Sequence, residues 1–212
     1  MTSTRIVIVG LMGALLAGWA GDVFDRPVWS LAIAAVLPTL ITLLVARRRW
    51  LIRVPAAAVG IALAVLAVAY LNEGGLADAG NAVTSGVGRV LSTEWPSPAR
   101  ADLVATIALI VATCTASGTE LARWGRLRLA PIAPILLGSV GVIAMAAPRG
   151  AAVWWPTAIA LLAAVLAALG PAGPLGDRLR LLRGERRLLA VAVAVGAVAA
   201  AVAVPLTMSG RA

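Results

Sequence analysis

Val54-Pro55-Ala56-Ala57-Ala58-Val59-Gly60-Ile61-Ala62-Leu63-Ala64-Val65-Leu66-Ala67-Val68-Ala69-Tyr70-Leu71 is a run of eighteen residues without one charged side chain. The hydrocarbon core of a bilayer takes about 20 such residues as helix. Helix is the required form, because lipid offers no partner to an unpaired backbone N–H or C=O. Six further runs of this kind flank it, at 6–20, 28–46, 103–118, 131–147, 153–169 and 188–204. The sequence therefore predicts an all-α fold, a single polytopic transmembrane helix bundle over 1–212 with about seven spans. The segments between spans are short, apart from a longer loop at 72–101.

Composition points to the same solvent. Of the 212 residues, 61% are hydrophobic and only 13% charged, where a soluble domain carries about 25% charged residues. Mean hydropathy is +0.98. A net charge of +9 raises nucleic acid as a partner. The arginines that carry it stand in short segments between the apolar runs, however, where they act on topology, so the expected partner is the lipid bilayer and not a nucleic acid. The chain has no histidine and a single cysteine, Cys114. An internal disulfide, a Cys/His metal site and every histidine-dependent triad or dyad are thereby excluded. No cofactor, no metal and no enzymatic activity of its own are expected.

Orientation follows from the arginines, all eighteen of the basic residues. With the N-terminus in the cytoplasm, 13 of them fall inside: Arg5, Arg47, Arg48, Arg49, Arg53, Arg123, Arg126, Arg128, Arg178, Arg180, Arg183, Arg186 and Arg187. The outside segments hold six of the nine acidic residues, Asp22, Asp25, Glu73, Asp78, Glu94 and Asp102. Basic loops stay on the cytoplasmic side. The predicted topology has the N-terminus inside, the C-terminus outside and the loop 72–101 outside, in the cell membrane. Trp19, Trp29, Trp50, Trp95, Trp124, Trp154 and Trp155 all fall at or beside a run end, the headgroup level that tryptophan prefers. The first run also admits a second reading, a signal peptide closed by Gly18-Trp19-Ala20; its removal would leave six spans in the same orientation.

The polar residues within the apolar runs are the candidate functional groups. Asp102, Thr106, Thr113, Ser117 and Glu120 are spaced by 4, 7, 4 and 3. At about 100° per residue they share one helix face within roughly 80°. One reading is a polar path or site facing the bundle interior, the default for ionisable groups in a membrane. The other is structural: Asp102 and Glu120 at the two interfaces, Glu120 paired with Arg123, and the hydroxyls bonding between helices. Gly10, Ala14, Gly18 and Gly21 form a small-residue face on the first helix, suited to close approach of a partner helix. Pro38 removes a backbone bond from the second span, and Thr39 and Thr42 are placed to cover freed carbonyls. In the loop, Leu76, Ala79, Val83, Val87 and Leu91 recur at helical spacing, so a short amphipathic helix is expected on the membrane surface or as a connector. Between 176 and 189, leucines and arginines mix in a basic segment suited to anionic lipid or an acidic partner. Asp22 and Asp25 are the one carboxylate pair that could serve envelope or lipid chemistry; stabilising the loop ahead of Pro27 is the expected role. Gly170-Pro171-Ala172-Gly173-Pro174 lacks the Lys-Ser/Thr ending of a phosphate loop. Cys114 reads as a small apolar residue.

Two segments together carry a family resemblance. Val90-Leu91-Ser92-Thr93-Glu94-Trp95-Pro96-Ser97-Pro98 leads into the fourth span. After that span comes a basic turn, Arg123-Trp124-Gly125-Arg126-Leu127-Arg128-Leu129-Ala130-Pro131, and Pro134 opens the next helix. This resembles the N-terminal membrane domain of the actinobacterial transglutaminase-like (TgpA-type) membrane proteins, over about residues 88–148. The resemblance implies a membrane domain that precedes a transglutaminase-like domain outside the membrane, in association with a MoxR-type ATPase and a partner with a von Willebrand-like domain. An outside C-terminus suits that plan. The family's Cys-His-Asp catalytic set has no counterpart here, since histidine is lacking and Cys114 is in mid-helix, so no catalytic residue carries over. The expected function is a non-catalytic integral membrane domain that anchors or scaffolds a transglutaminase-like extracytoplasmic domain or partner complex. It is either the membrane part of a longer protein or a stand-alone relative. The alternative is a small membrane transporter or channel subunit.

Overall fold

The computed structural model describes residues 2–25, 27–45, 48, 50–93, 96–124, 130–145, 158–160 and 162–163. Most of the sixth predicted span, the seventh, the basic segment at 176–189 and the C-terminus lie outside the described residues. These form helices α1 (Thr2–Gly21), α2 (Leu31–Leu44), α3 (Trp50–Leu71), α4 (Leu76–Thr84), α5 (Gly86–Ser92), α6 (Ala101–Trp124) and α7 (Ile132–Met145). Among the described residues there is no strand, only an isolated parallel bridge between Phe24 and Ser97.

Three of these helices are long and apolar enough to cross a membrane: α1 over Thr4–Gly21, α3 over Trp50–Leu71 and α6 over Ala101–Arg123. At 14 residues, α2 reaches about 21 Å at 1.5 Å per residue, short of a hydrocarbon core of about 30 Å. Both α3 and α6 run past the limits of their apolar stretches. The first takes in Arg53, and the second continues beyond Gly118 through Glu120 and Arg123. A helix continues while its backbone bonds can be made, whatever the side chains, and these charges have one another as partners.

α6 is the central helix. It packs against α1, α2, α3, α4, α5 and α7, and its apolar stretch is 67% buried where that of α3 is 28% buried. The core is built from Ile6, Val9, Met12 and Leu16 of α1, Leu31 of α2, Val104, Ile107 and Val111 of α6 and Ile135 of α7. Glycines set the closest approaches. A Cβ on Gly10 would lie 2.6 Å from Thr39 Cγ2, and one on Gly13 would meet the Thr115 hydroxyl. One on Gly118 would lie 2.8 Å from Val9 Cγ1. The small-residue face expected on the first helix is therefore a seam within the chain at Gly10. It does not extend to Gly21, which has open space beside it, and Gly13 makes a second seam that the pattern left out.

Pro38 is buried in α2, where a Cβ on Gly60 of α3 would lie 3.5 Å from its Cα. The carbonyl it leaves without a helical donor is that of Ala34, four residues back. The Thr39 hydroxyl donates instead to Ala35 O at 2.7 Å, and Thr42 meets Thr119 of α6 at 3.3 Å. Neither threonine serves Pro38 in the way the sequence suggested.

Candidate functional site

The five residues of the polar stripe lie on α6, but the fold divides them. Asp102 and Thr106 are buried, Glu120 is partly buried, and Thr113 and Ser117 are exposed. The division has a simple cause. Helices α4 and α5 cover this face of α6 near its start, with Gly86 packed against the Thr106 side chain. Further along, the same face is open. A continuous polar path along the stripe, expected as one reading, is not formed among the described residues.

At the beginning of α6, the Asp102 side chain is 5% exposed. Arg89 of α5 stands 2.6 Å from its Oδ2, and Arg100 stands 3.6 Å from Oδ1. The Arg89 contact is a close charge pair without hydrogen-bond alignment, since Oδ2 has no hydrogen-bond donor. Thr106 donates its hydroxyl to Asp102 O at 2.8 Å, within its own helix. Beside this pair the chain is pinned again. Asp25 N donates to Ser97 O at 3.0 Å and Ser97 N to Val23 O at 3.0 Å, and the Asp25 carboxylate accepts from Ala99 N at 3.3 Å. Asp25 thus ties the loop after α1 to the segment entering α6, the structural role expected for it.

At the other end of α6, Glu120 is engaged by two arginines. Arg123, one turn on, is 3.5 Å from Oε1, and Arg53 of α3 is 3.8 Å from Oε2. Arg123 also reaches Thr42 O of α2 at 3.4 Å. With the Thr42–Thr119 hydroxyl contact, this gathers α2, α3 and α6 at one point. The sequence reading found the Glu120–Arg123 pair but missed Arg53, whose distance in sequence hides the contact. It also missed Thr115 and Thr119, which lie on the opposite face of α6 from the stripe and are fully buried. Their i,i+4 spacing among alanines was the available signal.

A shallow cleft of about 280 Å³ lies between the start of α2 and the end of α3, lined by Pro27, Val28, Trp29, Ser30, Leu71, Asn72 and Glu73. Asn72 Nδ2 donates across it to Ser30 Oγ at 2.9 Å and to Val68 O at 2.8 Å. Asn72 and Ser30 are thus occupied in joining α2 to α3. Glu73 turns the chain at φ 63°, uncommon for a residue with a side chain. Among the described residues no group of three or more His, Cys, Asp or Glu side chains is placed to hold a metal. What the arrangement does chemically is to neutralise charge and fasten helices. No protein-family model matches this chain, and comparison with curated proteins and with solved structures gives no match either.

Proposed function

We propose that the chain is a multi-pass domain of the cell membrane that performs no chemistry of its own and holds a transglutaminase-like extracytoplasmic domain, or a partner complex, in place. The observation that supports it most is the disposition of charge on α6. Its two inner carboxylates, Asp102 and Glu120, are each engaged by two arginines. They stand eighteen positions apart, about 27 Å of helix, which matches the two faces of a hydrocarbon core of about 30 Å. Between them the buried side of α6 is apolar or small, with hydroxyls at Thr106, Thr115 and Thr119. Trp29 and Trp50, 85% and 65% exposed at helix starts, suit the headgroup level. A body so fastened is a rigid platform. The link to transglutaminase-like proteins and to a MoxR-type ATPase rests on the motif resemblance over residues 88–148, and the orientation, N-terminus inside and C-terminus outside, on the arginine distribution.

The test is an epitope tag inserted in the genomic copy between Arg183 and Gly184. Tagged protein is isolated from native membranes under mild solubilisation, blotted, and its companions identified. The expected result is a transglutaminase-like domain, either in a polypeptide much larger than 21.5 kDa or in a stoichiometric companion. A 21.5 kDa band isolated alone would refute the scaffold reading. Solute flux in proteoliposomes that is lost on substituting Thr113 or Ser117 would establish transport instead.

A further inference from the structure

Leu76, Ala79, Val83, Val87 and Leu91 recur at helical spacing, as in an amphipathic helix on the membrane surface or a connector. In the fold Ala79 alone of these five is buried. The helix breaks at Ser85 into α4 and α5, and the buried residues are the small ones, Ala79, Ala82 and Gly86, together with Val90. Leu76, Val83, Val87 and Leu91 are 69%, 67%, 46% and 59% exposed. Four large apolar side chains on seventeen residues are thus turned away from the protein.

Depth can be read from the register against α6. Gly74, just ahead of α4, packs against Ala101, the first residue of α6. Gly86, at the start of α5, packs against Thr106. The Arg89 guanidinium, one turn later, reaches back to Asp102, and Ser97 is level with the loop after α1 through its bridge to Phe24. The pair therefore descends along α6 by five residues, about 7.5 Å at 1.5 Å per residue, and returns. Interfacial helices sink their apolar face about 5–10 Å into the headgroup and acyl boundary.

We infer that α4–α5 is a shallow re-entrant pair, and that acyl chains of the leaflet at the Asp102 end cover its Leu76, Val83, Val87 and Leu91 side chains. This rests on the membrane reading above. Three observations favour lipid over a protein partner docked from water. The tip lies below the first residue of α6 and not above it. The apolar surface is continuous with α3: Ala79 and Ala82 pack with Val65 and Ala69, Leu66 is half-buried against them, and exposed Leu63 and Tyr70 carry the surface on. The hydroxyls of the pair are turned back on their own helices, Thr84 to Gly80 O, Ser85 to Asn81 O, Ser92 to Arg89 O and Thr93 to Arg89 O. Thr39, Thr106 and Ser139 do the same within the longer bundle helices. This is how a hydroxyl is satisfied without water.

The experiment uses the full chain in proteoliposomes, with Cys114 replaced by alanine and single nitroxide labels on cysteines placed at Leu76, Val83, Val87 and Leu91. Leu63 of α3 is the apolar control and the exposed Arg48 the aqueous one. Collision with oxygen, which partitions into lipid, is compared with collision with a water-soluble nickel chelate. The expected ratio of oxygen to nickel accessibility is higher at Val83, Val87 and Leu91 than at Arg48, rises from Leu76 to Val87 and falls again at Leu91. Nickel-dominated labels on α4–α5 with an oxygen-dominated Leu63 would overturn the re-entrant pair alone. Labels reached by neither reagent would mean a protein covers the face, and would also overturn it. A nickel-dominated Leu63 would overturn the membrane reading itself.

Discussion

Gly13→Ala adds one methyl group where α1 crosses α6. Its Cβ would meet the Thr115 hydroxyl and lie 2.8 Å from Thr115 Cγ2 and 3.1 Å from Thr115 Cβ. Contacts that short do not persist, so either Thr115 turns or the helices part. Thr115 is 0% exposed and its hydroxyl has no hydrogen-bond partner among the described residues, so it is enclosed and gains nothing by staying. Overpacking of this kind costs about 1–3 kcal/mol, and alanine in place of glycine in a helix returns about 0.5–1 kcal/mol. The net expectation is a loss of about 0.5–2 kcal/mol. Thr115→Ala vacates the same space and removes an unsatisfied hydroxyl, whose burial costs about 1–3 kcal/mol; it should be close to neutral. In the double variant the methyl has moved from one helix to the other, and stability should return to that of the wild type or exceed it. The coupling between the two sites is then about 1–2 kcal/mol, within the range for residues in contact. The assay is reversible unfolding of the four purified proteins in mixed micelles, followed by tryptophan fluorescence. A neutral Gly13→Ala, or effects that simply add to within about 0.5 kcal/mol, would refute the close crossing of α1 and α6.

Asp102→Ala should release α5 from α6. The carboxylate is 5% exposed but Arg89 is 39% and Arg100 64% exposed, so the loss is set between surface and buried pairs, at about 1–3 kcal/mol. Hydrogen exchange over 76–92 should quicken, and unchanged exchange would mean that the pair holds nothing. Glu120→Gln leaves Arg53 and Arg123 facing each other without their shared carboxylate; unfolding should show a loss of about 1 kcal/mol, since Glu120 is partly exposed. Failure to isolate companions from native membranes at unchanged stability would instead give Glu120 a functional role. Thr113→Ala with Ser117→Ala should leave unfolding within about 0.5 kcal/mol of wild type, as for exposed sites without special contacts. A larger loss in that assay would mean that both hydroxyls are partnered.

Much of the fold was legible because hydrophobicity alone carries it. The apolar runs at 6–20, 54–71 and 103–118 lie within α1, α3 and α6, and the all-helical character follows from them. The polar pattern on α6 was legible in part. Asp102 and Glu120 belong near its ends, and Glu120 does pair with Arg123. The stripe as a single face was not a single environment, because helical spacing reports direction around one axis and says nothing of what stands opposite. Thr113 and Thr106 share a direction, yet only Thr106 has α5 across from it. The same limit explains α4–α5. Leu76, Val83, Val87 and Leu91 are all exposed, while Ala79, Ala82, Gly86 and Val90 are buried, and the lack of a side chain at Gly86 lets the pair come close to Thr106.

By itself the sequence determined the helical class, through long uncharged runs of which three form helices long and apolar enough to cross a membrane, and the absence of histidine, which removes the chemistry that needs an imidazole. Those follow from composition and from the backbone's need for internal hydrogen bonds. Only the tertiary structure decided which helix is central, that Arg53 and Arg89 are the distant partners of Glu120 and Asp102, and that α4–α5 turns its bulky apolar side outward. Each of these depends on which surfaces meet, and contact between residues tens of positions apart is set by packing shape and not by any local pattern in the chain.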